Sequence, residues 1–289
     1  MSVTRSEATD WFLMVAPGVI WGASFLFIAE GLRSIGPGGL TLVRVLVGFA
    51  ALSLVPSARR PVANVDWPAV ALLGVLWFAF PLSLFPFAEQ RVSSALTGML
   101  NGANPLATAL VGASLVKSAP SRGVTRGLAV GLIGVVLMAW PTLFEGRSSV
   151  IGVLLVAAAI ASYGVALNVA RPLQQRYGAV PVIWRAQAVA IALTAPLGIR
   201  DLASAQWMRG PLFSVLALGT LGTGAAYVLL GVAAGRLGAT RASGTTFLIP
   251  GVALLLGVIV RGERVAGLAV AGGGVCLAGA WMMRRADHA

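Results

Sequence analysis

Four polar side chains recur at helical spacing inside one apolar run of the chain. Thr97, Asn101, Asn104 and Thr108 stand at i, i+4, i+7 and i+11, so a helix presents them on one face. Polar groups in an apolar medium are costly unless they face protein or water, which favours an interior position. Their amide and hydroxyl groups could hydrogen-bond a small polar solute; alternatively they join neighbouring helices, at about 1 kcal/mol or less per bond. We predict that Thr97, Asn101 and Asn104 line a binding cavity and that Thr108 is structural.

A second polar set lies in the other half of the chain. Thr220, Thr223 and Tyr227 share one helical face of a later run. Thr246 aligns with Asn101 when the two halves of the sequence are compared. We predict that Thr223, Tyr227 and Thr246 complete the lining, with the same alternative of helix-joining hydrogen bonds.

Aromatic residues could wall such a cavity. Trp21, Ser24 and Phe25 fall within one short motif, and Phe78 and Tyr163 occupy other apolar runs. We predict all five as lining residues. The alternative is packing or the aromatic belt that membrane proteins place at the lipid interface.

Two prolines follow the polar residues of equivalent runs. Pro105 and Pro250 lack a backbone donor, which frees a carbonyl one turn earlier, near Asn101 and Thr246. We predict a kink in each run that could serve as a gate, or could simply be a packing feature.

Two arginines lie inside apolar runs. Arg44 and Arg185 stand about six residues from the start of their runs, a depth of about 9 Å at 1.5 Å per residue. We predict them near opposite mouths of a channel, where they attract anionic groups or close gate contacts. The plainer alternative is anchoring to carbonyls at helix ends.

Acidic and metal-binding residues are absent from the middle of the runs. Glu30, Glu89 and Glu263 stand near run ends, and the single histidine, His288, belongs to the C-terminal tail. We therefore expect no metal site, no cofactor, no enzymatic activity and no ATP-driven pump, since the chain lacks a phosphate-binding Gly-Lys-Ser/Thr loop. Facilitated diffusion is the preferred mechanism, and proton exchange through Glu89 is the alternative.

Composition identifies the medium in which these residues act. Of 289 residues, 58% are hydrophobic and 10% are charged, with a mean hydropathy of +0.89. A soluble domain carries about a quarter charged residues, so the chain is predicted to be an all-helical membrane protein. Ten apolar runs are long enough to span a bilayer: 11–31, 37–56, 67–88, 92–115, 123–141, 150–170, 180–199, 211–233, 238–260 and 265–283.

The net charge of +12 comes from residues between the runs rather than from a nucleic-acid-binding module. With ten spans and an inside N-terminus, twelve basic residues face the cytoplasm and seven face the other side. This bias predicts a bacterial-type inner membrane protein with both termini cytoplasmic. We expect lipid as its surroundings and a small neutral or zwitterionic molecule as its ligand.

The two halves of the sequence resemble each other. Four anchors align at offsets near 142: Trp21-Gly22 with Tyr163-Gly164, Arg44 with Arg185, Pro105 with Pro250, and the Gly-Leu-Ala-Val motifs that begin at Gly127 and Gly267. Five spans per copy is an odd number, so the copies, 11–141 and 150–284, are predicted to be inverted relative to each other. Such a pair has two near-equivalent conformations, from which alternating access follows.

These motifs resemble the EamA-type branch of the drug/metabolite transporter superfamily. The resemblance rests on Trp21-Gly-Ala-Ser-Phe, Arg44, Asn104-Pro105, Phe247-Leu-Ile-Pro250 and Gly262-Glu263. It implies ten helices in two inverted five-helix repeats around a central cavity, and export or facilitated passage of metabolites, often amino acids. The first copy departs from the family because Val116-Lys117 replaces Gly-Glu. A non-transporting membrane scaffold or sensor is the alternative, since glycine-rich helices also suit plain association.

Overall fold

The described residues form a bundle of α-helices. The computed structural model describes residues 5–116, 121–144, 147–237 and 243–286, so Lys117 and His288 lie outside it. The helices of the first half are α1 (Arg5–Gly31), α2 (Pro37–Ser53), α3 (Trp67–Leu73), α4 (Phe80–Glu89), α5 (Ser94–Asn101), α6 (Asn104–Val116) and α7 (Arg122–Ala139). Those of the second half are α8 (Arg147–Tyr177), α9 (Ala179–Ala203), α10 (Arg209–Ala217), α11 (Ala226–Leu237), α12 (Leu248–Arg261) and α13 (Gly267–Ala286).

Many of these helices suit a bilayer. Six segments of the described chain are long and apolar enough to cross one: Thr9–Gly31, Asn64–Glu89, Arg122–Ala139, Ser149–Tyr177, Ala179–Ala203 and Arg209–Leu230. Shorter apolar helices are Pro37–Ser53, Thr245–Arg261 and Gly267–Met282. Large apolar side chains such as Trp11, Phe80, Phe213 and Ile259 are exposed, as lipid-facing positions require. The chain is a multi-pass membrane protein.

Two of the helical rods contain π-helical segments that the apolar pattern does not reveal. Gly74–Ala79 joins α3 to α4, and Leu218–Ala225 joins α10 to α11. The first precedes Pro81, which cannot donate the regular hydrogen bond one turn back, and the second is rich in glycine. In a π-helical turn the backbone bonds shift to i+5, so some carbonyls become available to side chains.

The run predicted at 92–115 divides into α5 and α6. Gly102 and Ala103 donate to the carbonyls of Met99 and Leu100 at 3.0 and 2.9 Å, as in a turn, and α6 starts just before Pro105. In the second half, a 3₁₀ segment, Ser243–Phe247, likewise precedes the helix that holds Pro250. Both prolines thus follow a break rather than a gentle kink.

Helix pairs from the two halves hold the bundle together. α2 packs on α9, α5 packs on α12, and α7 packs closely on α13. At the last crossing a Cβ on Gly134 would lie 2.6 Å from the Cα of Cys276 and 2.7 Å from the carbonyl of Gly272. The backbones touch there because glycine has no side chain to separate them.

A buried polar and aromatic cluster as candidate solute site

Three buried polar residues from three elements meet inside the bundle. Arg44 on α2 donates from Nε to Oγ1 of Thr223 at 3.2 Å, and Gln187 on α9 donates from Nε2 to the Thr223 carbonyl at 2.8 Å. Arg44 is 4% exposed, and Gln187 and Thr223 are 0% exposed. Thr223 belongs to the second π-helical segment, which explains why its carbonyl can accept a side chain.

Aromatic rings surround this polar group. The ring of Tyr227 lies 5.3 Å from Trp21, 5.4 Å from Trp77 and 5.4 Å from Phe78, in edge-on or tilted geometry. Trp21 also donates from Nε1 to the carbonyl of Gly222 at 3.0 Å, again within the π-helical segment. We call Arg44, Gln187, Thr223, Trp21, Trp77, Phe78 and Tyr227 the central cluster.

A second group of rings continues from the central cluster toward α5. Phe85 on α4 lies 5.5 Å from Phe25 and 5.9 Å from Tyr163. Phe25 in turn packs against α5, because a Cβ on Gly98 would lie 2.8 Å from its ring. Ser24 is buried beside Gly222 and donates to the carbonyl of Ile20.

The charge of Arg44 has no salt-bridge partner among the described residues. All ion pairs among the described residues involve other arginines. The titratable side chains of Tyr163, Tyr227 and Glu89 lie within electrostatic range of the Arg44 guanidinium. A buried arginine held by one hydroxyl therefore keeps donors available in a site of mixed aromatic and polar character.

Arg185, the sequence counterpart of Arg44, lies elsewhere. It is half-buried, donates to the carbonyls of Ala58 and Pro181 at 3.0 and 3.1 Å, and stacks over Trp184. These are carbonyl-anchoring contacts. Arg44, expected near a mouth, lies inside the bundle because α2 packs against both α9 and the second π-helical segment. The two arginines are not brought together.

The polar face of α5 and α6 bonds largely to itself. Thr97 donates to Ser93 O, Asn104 donates to Asn101 Oδ1 at 2.8 Å, and Thr108 donates to Asn104 O. Thr97 and Asn101 are buried, while the Asn104 Oδ1 is buried and accepts no hydrogen bond from the described residues. The α5 part of this face crosses α12, where Gly102 contacts buried Pro250, whereas the α6 part packs on α8, where Asn168 donates to the carbonyl of Thr108 at 3.1 Å. Pro105 and Thr246 are half-buried.

Several residues of the central cluster and of the second group of rings were missed at the sequence level. Gln187, Trp77 and Phe85 are buried in the site, yet only Gln187 carried a signal, as an isolated polar residue within an apolar run. Aromatics in membrane helices are too common for Trp77 and Phe85 to stand out.

Charged residues gather at the end of the bundle away from both termini. Glu263 accepts from Ser94 N at 3.1 Å, Ser94 Oγ at 2.7 Å and Ala95 N at 2.8 Å, so it caps α5. The preceding Gly262 has φ +65° and ends α12 in the left-handed conformation that glycine favours. The Gly-Glu motif thus turns the chain and aims a carboxylate at a helix N-terminus.

A cavity of about 210 Å³ opens at this same end. Its lining includes Glu89, Arg91, Leu96, Met138 and Arg264, together with residues of the α13 N-terminus. The lining contains none of the residues predicted for the cavity wall. Those residues lie in the central cluster, in the second group of rings with Ser24, along α5 and α6, and, for Thr246, in the 3₁₀ segment before α12. A continuous cavity between them remains a prediction.

Known proteins resemble the chain over nearly its full length. The model of the EamA-like transporter family matches residues 11–140 and again 150–285. A probable terminal-alkyne amino-acid exporter from Streptantibioticus cattleyicolor is 27% identical, over 95% of this chain and 93% of the relative. A probable amino-acid metabolite efflux pump from Salmonella typhimurium is 26% identical, over 94% of both chains.

One crystal structure shares the fold with a TM-score of 0.64, covering 96% of both chains at 21% identity. The double match of the family model spans more than half of the chain, and the resemblance drawn from the motifs is confirmed. Named relatives in this family are exporters and efflux pumps rather than enzymes. The chain belongs to the EamA-like transporter family.

Proposed function

We propose that this transporter moves a small amino-acid-type metabolite, neutral or zwitterionic, by alternating access of two inverted five-helix repeats. The repeats are assigned to 11–141 and 150–284. The relatives named as amino-acid and metabolite exporters support the substrate class and the outward direction.

Matching contacts in the two halves support the inverted repeat. α1 packs on α12 as α8 packs on α6, and α2 packs on the second π-helical segment as α9 packs on the first. Each π-helical segment also offers a carbonyl to the first long helix of the other half: Trp21 donates to Gly222 O, and Ser162 donates to Leu76 O at 2.7 Å. Alternating access requires that the two halves can exchange conformations, and equivalent contacts in both halves are consistent with this requirement.

The buried guanidinium of Arg44 carries the substrate proposal. An arginine can bind a carboxylate through two parallel hydrogen bonds, and Arg44 has no carboxylate partner among the described residues. The rings of Trp21 and Tyr227 beside it offer an apolar surface for a side chain. An amino acid presents this combination of a carboxylate and an apolar or aromatic group.

Inner-membrane insertion with both termini cytoplasmic completes the proposal. It rests on the excess of basic residues on that side in the ten-span topology. The topology can be tested by introducing a cysteine at each terminus in a Cys276→Ser background. These cysteines are then labelled in right-side-out vesicles, before and after permeabilisation. Both sites should react only after permeabilisation.

Counterflow in liposomes tests the transport proposal. The purified chain is reconstituted with a labelled panel of amino acids and small metabolites, and exchange is measured for the parent, Arg44→Gln and Arg185→Gln. We expect at least one panel member to exchange. Loss of a charged hydrogen-bonded contact of about 1.5–3 kcal/mol should weaken its half-saturation in Arg44→Gln by about tenfold to a hundredfold.

Arg185→Gln is the matched control, because Arg185 bonds to carbonyls away from the central cluster. It should exchange like the parent. Arg44→Lys retains the charge, and size-exclusion profiles show that each variant folds. A folded parent that exchanges nothing in the panel would favour the scaffold or sensor, and equal effects of both arginine variants would refute the role of Arg44.

A further inference from the structure

Glu89, the last residue of α4, carries a buried carboxyl group that has no hydrogen-bond partner among the described residues. Both of its oxygens are inaccessible to solvent and accept no hydrogen bond from the described residues. The residue nevertheless lines the cavity of about 210 Å³ at the end of the bundle away from the termini. Burial of a carboxylate without hydrogen bonds or a paired cation is strongly unfavourable, whereas the protonated carboxyl group is neutral.

Charged groups face Glu89 from several elements without pairing with it. Glu263, Arg261 and Arg44 act on it electrostatically from the α12–α13 connection, α12 and α2. Arg91 and Arg264 share the cavity lining. No salt bridge to Glu89 is formed within the described ranges.

The other carboxylates at this end have partners. Glu263 accepts from Ser94 and Ala95 and from Arg261 Nε at 3.2 Å, and Glu30 pairs with Arg33 at 2.7 Å. The oxygens of these two carboxylates are therefore already engaged by donors, whereas those of Glu89 accept no hydrogen bond from the described residues. Among the described residues, Glu89 alone combines a buried carboxyl group that accepts no hydrogen bond with a place in the lining of this cavity.

We propose that Glu89 binds the proton whose inward passage drives outward transport of the solute. This inference rests on the proposed function. Deprotonated Glu89 attracts the ammonium group of a zwitterionic solute. A proton entering from the cavity neutralises Glu89 and displaces the ammonium group, and the proton leaves when the site faces the cytoplasm. The cavity lies on the side that the proposed topology places outside the cell, as this order of events requires.

A pH gradient across liposomes tests the coupling. The parent, Glu89→Gln and Glu30→Gln are reconstituted, and the panel member that exchanges in counterflow serves as the probe. One pH unit is worth about 1.4 kcal/mol per proton, or about tenfold accumulation for one-to-one exchange. We expect this accumulation in the parent and in Glu30→Gln, whose carboxyl group lies at the same end of the bundle but is already paired. Glu89→Gln should not accumulate the probe.

Counterflow at a series of pH values distinguishes a variant that has lost proton coupling from one that has lost transport altogether. In the parent, protons compete with the solute, so exchange slows as the pH falls. Glu89→Gln should still exchange at high solute concentration, with a raised half-saturation and no dependence on pH, and Glu89→Asp should restore the pH dependence. A parent that exchanges but ignores the gradient, or a Glu89→Gln variant that still accumulates the probe, would overturn the inference. A parent without any counterflow would instead count against the proposed function.

Infrared spectra of the detergent-solubilised parent and variants, compared by difference, test the protonation of Glu89 without a solute. The carbonyl band of a neutral carboxylic acid should be present at neutral pH in the parent and in Glu30→Gln. It should be absent from Glu89→Gln and shifted in Glu89→Asp. An identical band in the parent and Glu89→Gln would assign the proton to another group and refute the proposal.

Discussion

Replacing Glu263 by glutamine should destabilise the bundle more than the same replacement of Glu30, a carboxylate at the same end. Its side chain is 13% exposed and accepts three hydrogen bonds from the N-terminus of α5, at 3.1, 2.7 and 2.8 Å. Glutamine keeps one acceptor oxygen, but its amide NH2 group then faces the N–H of Ser94, so two donors meet. An unsatisfied buried donor costs about 1–3 kcal/mol, and the lost charge at a helix N-terminus adds about 0.3–1 kcal/mol.

The expected total is about 1–4 kcal/mol, which corresponds to a melting temperature lower by about 2–8 °C for a chain of this size. Glu30→Gln is the control, because Glu30 pairs with the same Arg261 at 3.6 Å and with exposed Arg33, and such pairs contribute about 1 kcal/mol or less. Thermal unfolding in one detergent, followed by tryptophan fluorescence, compares the variants with the parent. If Glu263→Gln melted together with Glu30→Gln, the cap would not be the energetic link between α12 and α5.

Three further substitutions address the packing around the site. Gly134→Leu should lose about 1–3 kcal/mol or fail to fold, because its side chain would occupy the backbone of Cys276, and the monodisperse fraction on size exclusion measures this. Asp201→Ala removes the carboxylate that accepts from the first two amides of α2 at 2.8 and 3.1 Å, so the melting temperature should fall by an amount corresponding to about 1–2 kcal/mol. Trp21→Phe keeps an aromatic ring but loses the hydrogen bond to Gly222 O, so we expect stability to fall by about 1 kcal/mol and the solute half-saturation in counterflow to weaken. Parent-like values would show that this bond contributes nothing.

The class of the protein and its family could be predicted from the sequence, because both depend on local properties. An apolar run long enough to span a bilayer is helical in lipid wherever it packs, since its backbone must satisfy its own hydrogen bonds. The Gly262-Glu263 and Trp21 motifs added family membership, which the family model confirmed. The repeat boundaries and the cavity remain predictions.

The contacts of the site residues could be predicted less well from the sequence, because the role of a polar residue depends on which groups face it in the fold. Arg44 and Arg185 are equivalent in sequence, yet Arg44 meets Thr223 within the bundle while Arg185 bonds to Ala58 O. The π-helical turns that free the carbonyls of Gly222 and Thr223 depend on i+5 bonding, which the apolar period does not encode.

The sequence by itself therefore determined the membrane environment, the helical class, the duplicated pattern and the family, all of which follow from composition and spacing along the chain. Only the tertiary structure decided which helix faces meet. That packing buries Arg44 beside aromatic rings and directs Glu263 to α5, and it leaves the Glu89 carboxyl without a hydrogen-bond partner in the part of the chain that the structure describes. The reason is physical: a helix's own residues set its length and polarity, but its rotation and depth are set by neighbours far away in the sequence.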